Sequence, residues 1–243
     1  MNKKTVGKFL SAIIVLVLIP SATVLNALLV KNGKYMLFSV IVALLSCIPF
    51  FIAFETGKNT AKEMVVIAAM IALSVVGRLI FAPLPGFKPV TALIIITGIA
   101  FGAESGFITG SMTALVSNAF YGQGPWTPFQ MFTWGITGFI AGLIFCGREK
   151  RGVFSVVAVG VLGGVLYSLT MDVYTTLSVS GEFVVGEYLL NVYSSLPFMA
   201  VYAVSNAVFL LVLTKPLTEK LERLKVKYGI FKSRFLADEG ERE

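Results

Sequence analysis

Histidine is absent from this chain of 243 residues, cysteine occurs only twice, and charged residues make up just 14%. Each shortage excludes a class of protein. Without imidazole, and with Cys47 and Cys146 in separate apolar runs, neither a thiolate and imidazole metal cage nor a disulfide framework is supported. A soluble domain has about a quarter of its residues charged, whereas the only charge between Lys88 and Arg148 is Glu104. With 56% apolar residues and a mean hydropathy of +0.86, the chain belongs in lipid. The net charge of +7 does not indicate nucleic acid, because the basic residues sit between and after apolar runs rather than on one presented surface. A phosphate-binding loop is also missing. The nearest string, Gly181 to Gly186, is followed by Glu187 where the lysine of such a loop belongs.

A hydrocarbon core of about 30 Å takes roughly 20 apolar helical residues. That ruler predicts an all-α integral membrane protein with about eight spans, near 9–30, 35–54, 63–81, 89–102, 105–121, 128–146, 152–175 and 188–213. The fourth and fifth are short and meet at Gly102 to Gly106, as one interrupted hairpin or one long bent helix. Residues 1–57 form an appended N-terminal hairpin, with a cleaved signal peptide as the competing reading. Residues 58–214 form a six-span core, and 215–243 a basic cytoplasmic tail in which Leu217, Leu221 and Leu224 suggest a short amphipathic helix.

Basic residues set the orientation, because lysine and arginine in short loops stay on the cytoplasmic side. Lys3, Lys4, Lys8, Lys58, Lys62, Arg148, Lys150, Arg151 and the basic tail fall on one side, so both termini are expected to be cytoplasmic in a cell membrane. Lys31, Lys34 and Lys88 fall on the other.

Several residues break the rules of a lipid-embedded chain. Glycines repeat every four residues at 98, 102, 106 and 110 and continue to Asn118, while the row Gly160, Gly164, Ser168 ends on Asp172. Small residues at that spacing let helix backbones approach. Ionisable residues within spans are costly and point to function; Arg78 and Asp172 are expected near the outer end, contacting ligand, pairing with each other, or lying there as a snorkelled arginine and an interfacial aspartate. One such pair is too little for a proton relay, which needs a chain of acids or histidines. The three outer loops are rich in Pro, Gly and aromatics, and the second packs Tyr121, Gln123, Trp126, Thr127 and Gln130 together, with Trp134 one turn further on. The substrate-binding candidates are Arg78, Lys88, Asn118, Tyr121, Gln123, Trp126, Gln130, Trp134, Asp172 and Asn191. An interfacial aromatic belt with turn residues is the alternative for Trp126. On the third span Ala68-x-x-x-Ala72 offers a smooth face for a partner helix.

The region from about 60 to 214 resembles the substrate-binding S component of an energy-coupling factor (ECF) vitamin transporter. The resemblance rests on Ala68-x-x-x-Ala72, on the run from Gly77-Arg78-Leu79 to Phe87-Lys88-Pro89, on the glycine-rich hairpin, and on Tyr121 to Met131. It implies a non-enzymatic subunit, without a cofactor, that binds a vitamin outside. The subunit then docks through Ala68 and Ala72 on a T component driven by two cytoplasmic ATPases, with loops 82–89 and 122–127 and the loop after Asp172 closing the site. The loop pattern is similar to S components for cobalamin or its precursors, with riboflavin or folate next. Two other classes stay open. A membrane-embedded enzyme would need paired carboxylates, for which only Asp172, Glu182 and Glu187 are available. An assembly protein or passive channel would carry polar residues along a whole helix face.

Overall fold

The computed structural model describes Ile13 and residues 61–148 and 151–230. The expected N-terminal hairpin with its lysines and Cys47, together with Lys150 and residues 231–243, lies outside the described residues.

Residues 61–230 form a bundle of six helices: α1 (Ala61–Ile80), α2 (Val90–Phe101), α3 (Ala103–Tyr121), α4 (Thr127–Phe145), α5 (Val153–Ser180) and α6 (Val185–Tyr228). Four of them, α1, α4, α5 and α6, are long and apolar enough to cross a membrane. The exceptions are instructive. All 12 residues of α2 are buried, and at 1.5 Å per residue the helix is about 18 Å long, well short of a hydrocarbon core. The stretch expected as a span is therefore a central core helix, apolar on every side because it packs against every other described helix. Its neighbour α3 is long enough but polar, with Ser105, Thr109, Ser111, Thr113, Ser117 and Asn118 all buried. The hydroxyls of Thr109 and Thr113 bond carbonyls one turn back at 2.8 and 2.6 Å, so much of that polarity is satisfied within the helix.

Of the two readings for residues 98–106, the break is the one found. Gly102 alone separates α2 from α3, at φ +97°, a backbone conformation that L side chains rarely adopt. Close backbone contact follows from the glycine rows. A Cβ on Gly106 would lie 2.3 Å from the Gly138 carbonyl oxygen, and one on Gly110 the same distance from that of Trp134. Small residues thus set α3 directly on α4 and fix the height of Trp134 in the bundle.

Helix α6 runs on past the expected end at 213, through Pro216, to Tyr228. Leu221 and Ile230 are buried in the same apolar cluster as Ile67, Phe101, Phe145 and Leu210. Glu222 pairs with Lys225 at 3.0 Å and with Arg151 at 3.9 Å, tying this extension to the segment between α4 and α5. It is one continuous helix rather than a separate short one, because its apolar residues have a core to cover.

The loops at 81–89, 122–126 and 181–184 gather at the other end of the bundle. The first is latched onto α6. Ser205 Oγ accepts from the Lys88 amide at 2.8 Å and donates to the Lys88 carbonyl at 3.1 Å, while Phe81 and Phe87 pack on Phe209.

Candidate functional site

Arg78 closes the last turn of α1 and is 8% exposed. Its Nη1 donates to Ser117 Oγ and, at 2.8 Å, to Asn118 Oδ1. The guanidinium lies 4.5 Å from the centre of the Tyr121 ring and 5.1 Å from that of Trp134. Tyr121 returns a bond, its hydroxyl donating to the Arg78 carbonyl at 2.9 Å. The far side of Asn118 is equally engaged, with Nδ2 donating to Thr127 Oγ1 and Gln130 Oε1, both at 2.9 Å. Gln130 Nε2 then donates to the Tyr167 hydroxyl at 3.0 Å, which leaves the tyrosine's own hydrogen free to donate. One polar chain therefore runs from α1 through α3 and α4 to α5.

An aromatic wall stands beside it. Trp134 stacks on Tyr167 at 5.4 Å and 13°, and Tyr202 meets Tyr167 edge to face at 5.0 Å. The ammonium of Lys88, a half-buried loop residue, lies 5.6 to 5.8 Å from the centres of all three rings. Burial, with the Arg78 charge adding to it, pushes that ammonium down to about 7. Among the described residues no carboxylate lies within ion-pair distance of Arg78 or Lys88. Cation–π contacts contribute about 0.5–2 kcal/mol each, whereas taking an ion out of water costs several kcal/mol. The rings offset only part of that cost.

A second polar group joins α5 to α6. Asp172 Oδ2 accepts from Ser195 Oγ at 2.6 Å, Ser195 is 3.3 Å from Ser168 Oγ, and Asn191 Nδ2 donates to Thr176 Oγ1 at 2.9 Å. Asp172 is 6% exposed and makes no pair with Arg78, so the mutual ion pair, one of the readings for these charges, is not formed.

Six of the ten substrate-binding candidates, Arg78, Lys88, Asn118, Tyr121, Gln130 and Trp134, converge on one region. Asp172 and Asn191 lie in the α5–α6 group. Trp126 is half-buried beside Tyr174, with Gly124 beneath it: a Cβ there would lie 2.3 Å from the indole. Gln123 is exposed and spends both ends of its amide on its own surroundings, donating to the Leu115 carbonyl at 2.7 Å and accepting from Thr127 at 3.0 Å. Ala68 and Ala72 lie on the exposed stripe of α1 with Val65, Val76 and Ile80, while Arg78 on the same helix is buried.

Sequence reasoning missed Tyr167, Tyr202, Ser117 and Ser195. A signal for Tyr167 was present, since Gly160, Gly163, Gly164, Tyr167, Ser168 and Asp172 follow the spacing of one buried helical stripe.

A family model described as ECF-type riboflavin transporter, S component, matches residues 58–223. No curated protein and no solved structure matches the chain. The matched description names riboflavin and not cobalamin.

Proposed function

Since the chain belongs to the ECF-type riboflavin transporter S component family, whose members are substrate-binding membrane subunits of vitamin transporters rather than enzymes, we propose that its own ligand is a flat nitrogen heterocycle of the riboflavin type. The observation that carries this is the Trp134–Tyr167 stack at 5.4 Å, bordered by the Gln130 and Asn118 amides. Ring faces of that kind hold a planar aromatic by offset stacking, and the second Nε2 hydrogen of Gln130 and the hydroxyl hydrogen of Tyr167 can donate to the carbonyl and imino edges of a heterocycle, with Asn118 holding Gln130 in place. Cobalamin, the expectation from the loop pattern, has neither the family description nor an imidazole ligand for its cobalt behind it.

In this reading the loops at 81–89 and 122–126 cover the site on the outer face of the cell membrane and both termini are cytoplasmic, as the distribution of basic residues suggests. Residues 58–214 are the binding unit, and the basic segment after it lies on the inner side. Ala68 and Ala72, exposed on α1, form the face that meets the T component, which carries the force of two separate ATPases. No phosphate-binding loop is present in this chain to supply that force itself.

Equilibrium binding to the purified protein tests the ligand. Riboflavin, folate and cobalamin are titrated without ATP, with the indole fluorescence of Trp134 and Trp126 as readout. Saturable quenching by riboflavin is the expected result. Saturation by cobalamin, with none by riboflavin, overturns the assignment.

A further inference from the structure

Two cations face one indole at the loop end of the bundle. The Arg78 guanidinium is 5.1 Å and the Lys88 ammonium 5.8 Å from the centre of the Trp134 ring, so their separation is no greater than the sum of those distances. Around them stand neutral groups: Ser117 and Asn118, which accept from Arg78, the Tyr167 hydroxyl with its hydrogen free, and the Tyr202 ring. Among the described residues neither cation forms an ion pair, and Asp172 is engaged with Ser195.

Like charges brought together under burial repel each other, and aromatic faces offset only part of the desolvation. Such an arrangement is stabilised when an anion joins it, through charge-assisted hydrogen bonds from both sides. Arg78 is fixed for this task, because Asn118 and Ser117 hold its Nη1 and Tyr121 and Trp134 border its plane. Lys88 is fixed through its backbone, which Ser205 grips on both the amide and the carbonyl. The excess of positive charge is thus built into the site, at whose loop end Lys88 is half-buried and Tyr121 exposed.

We propose that the ligand carries an anionic group, a carboxylate or a phosphate, which Arg78 and Lys88 receive together beside the Trp134 ring. The aromatic part of the ligand lies along the Trp134–Tyr167 wall, so the proposal rests on the heterocycle reading of the same site and adds its charge. Selectivity then comes from two sources: the wall selects for a flat ring, and the cations favour an anionic form of that ring over a neutral or positively charged one that would leave them uncompensated.

Riboflavin and riboflavin 5′-phosphate share one ring system and differ by a phosphate, which makes them the probes. Titration of the purified full chain at about pH 6.5 is expected to show the phosphate ester binding at least about tenfold more tightly. In Lys88→Met the ratio falls to near one, and in Lys88→Arg it persists, which separates lost charge from lost folding. Riboflavin binding as tightly as its phosphate overturns the proposal and leaves the flavin reading standing. If neither flavin binds, folate, biotin and pantothenate follow. Binding of any of these with a ratio of wild type to Lys88→Met affinity of about ten or more upholds the anion site and overturns the flavin reading. Binding of a neutral or cationic vitamin alone, or of nothing in the set, overturns both.

Discussion

Asn118 Oδ1 accepts from Arg78 Nη1 at 2.8 Å, and this single contact fixes the orientation of an entire side-chain chain. With its oxygen committed to the guanidinium, the amide must present Nδ2 to Thr127 and Gln130, and Gln130 must present its own Nε2 to Tyr167. A charge on α1 is thereby transmitted as donor direction to a tyrosine on α5.

Asn118→Leu removes that relay while roughly preserving volume. A hydrogen bond to a charged group contributes about 1.5–3 kcal/mol, and the partners left behind are buried. Ligand affinity is expected to fall by about ten- to a hundredfold, read by fluorescence titration. An unchanged dissociation constant would show that the chain of amides plays no part in binding.

The two tryptophans separate in effect. Trp134→Ala deletes the stacked ring and is expected to abolish saturable binding. Trp126→Ala, at the edge of the site against Tyr174, is expected to weaken binding about three- to tenfold with the fold intact. Circular dichroism alongside the titration distinguishes a binding defect from unfolding.

Affinity for an anionic ligand should depend on pH through Lys88, whose ammonium is brought down to about 7 by burial and the Arg78 charge. The groups facing it are Arg78 on α1, Tyr167 on α5 and Tyr202 on α6. Tyr121 on α3 reaches it through Arg78, and α2 and α4 have no ionisable side chain. Arginine and tyrosine ordinarily titrate far above neutrality. Because the protonated amine is the binding form, affinity is expected to decline by up to about tenfold per unit as pH rises above about 7, with proton uptake on binding. Calorimetry in buffers of different ionisation enthalpy reads that uptake directly, and a flat profile between about pH 6 and 8 would exclude Lys88 from the interaction.

Ala72→Trp places a bulky ring on the exposed face of α1, away from the buried Arg78. Binding to the purified subunit is expected to match wild type while uptake by cells is lost. Parallel loss of both would remove the docking role from this face.

At the junction of α3 and α4, Gly106→Val would drive a side chain into the Gly138 carbonyl, which lies 2.3 Å from where a Cβ would stand. Overpacking of this kind costs about 1–3 kcal/mol or more, and a marked fall in the thermal unfolding midpoint is expected. Gly186→Ala, with nothing within 4 Å of its Cβ, is the matched control and should leave the midpoint in place.

Much of this cluster is legible in the sequence, for a physical reason. Arg78, Asn118, Gln130 and Trp134 stand out because polar side chains inside apolar runs must be satisfied by protein. Tyr167 and Tyr202 did not stand out, because an amphipathic ring in a membrane helix reads equally well as an interfacial anchor, and only three-dimensional neighbours reveal it as part of a wall. The sequence near 89–102 does form a helix, but it is a buried core helix and not the span expected, because all-round hydrophobicity is shared by helices in lipid and helices buried in protein. The end of α6 was misplaced because Lys215 and Pro216 mimic a helix stop, whereas the buried Leu221 and Ile230 give the chain a reason to continue.

The short helix α2 also bears on how such a chain is made. A segment of 12 residues, with every one of them covered by protein, is too short to anchor itself in a bilayer and gains its stability from neighbours on all sides. During synthesis it emerges before α3, α4, α5 and α6, four of the helices that will enclose it. Its final seating is therefore a late event, and the aromatic wall, whose Trp134 packs with Val90 and Ile94 of α2, is completed only once the last helix is in place.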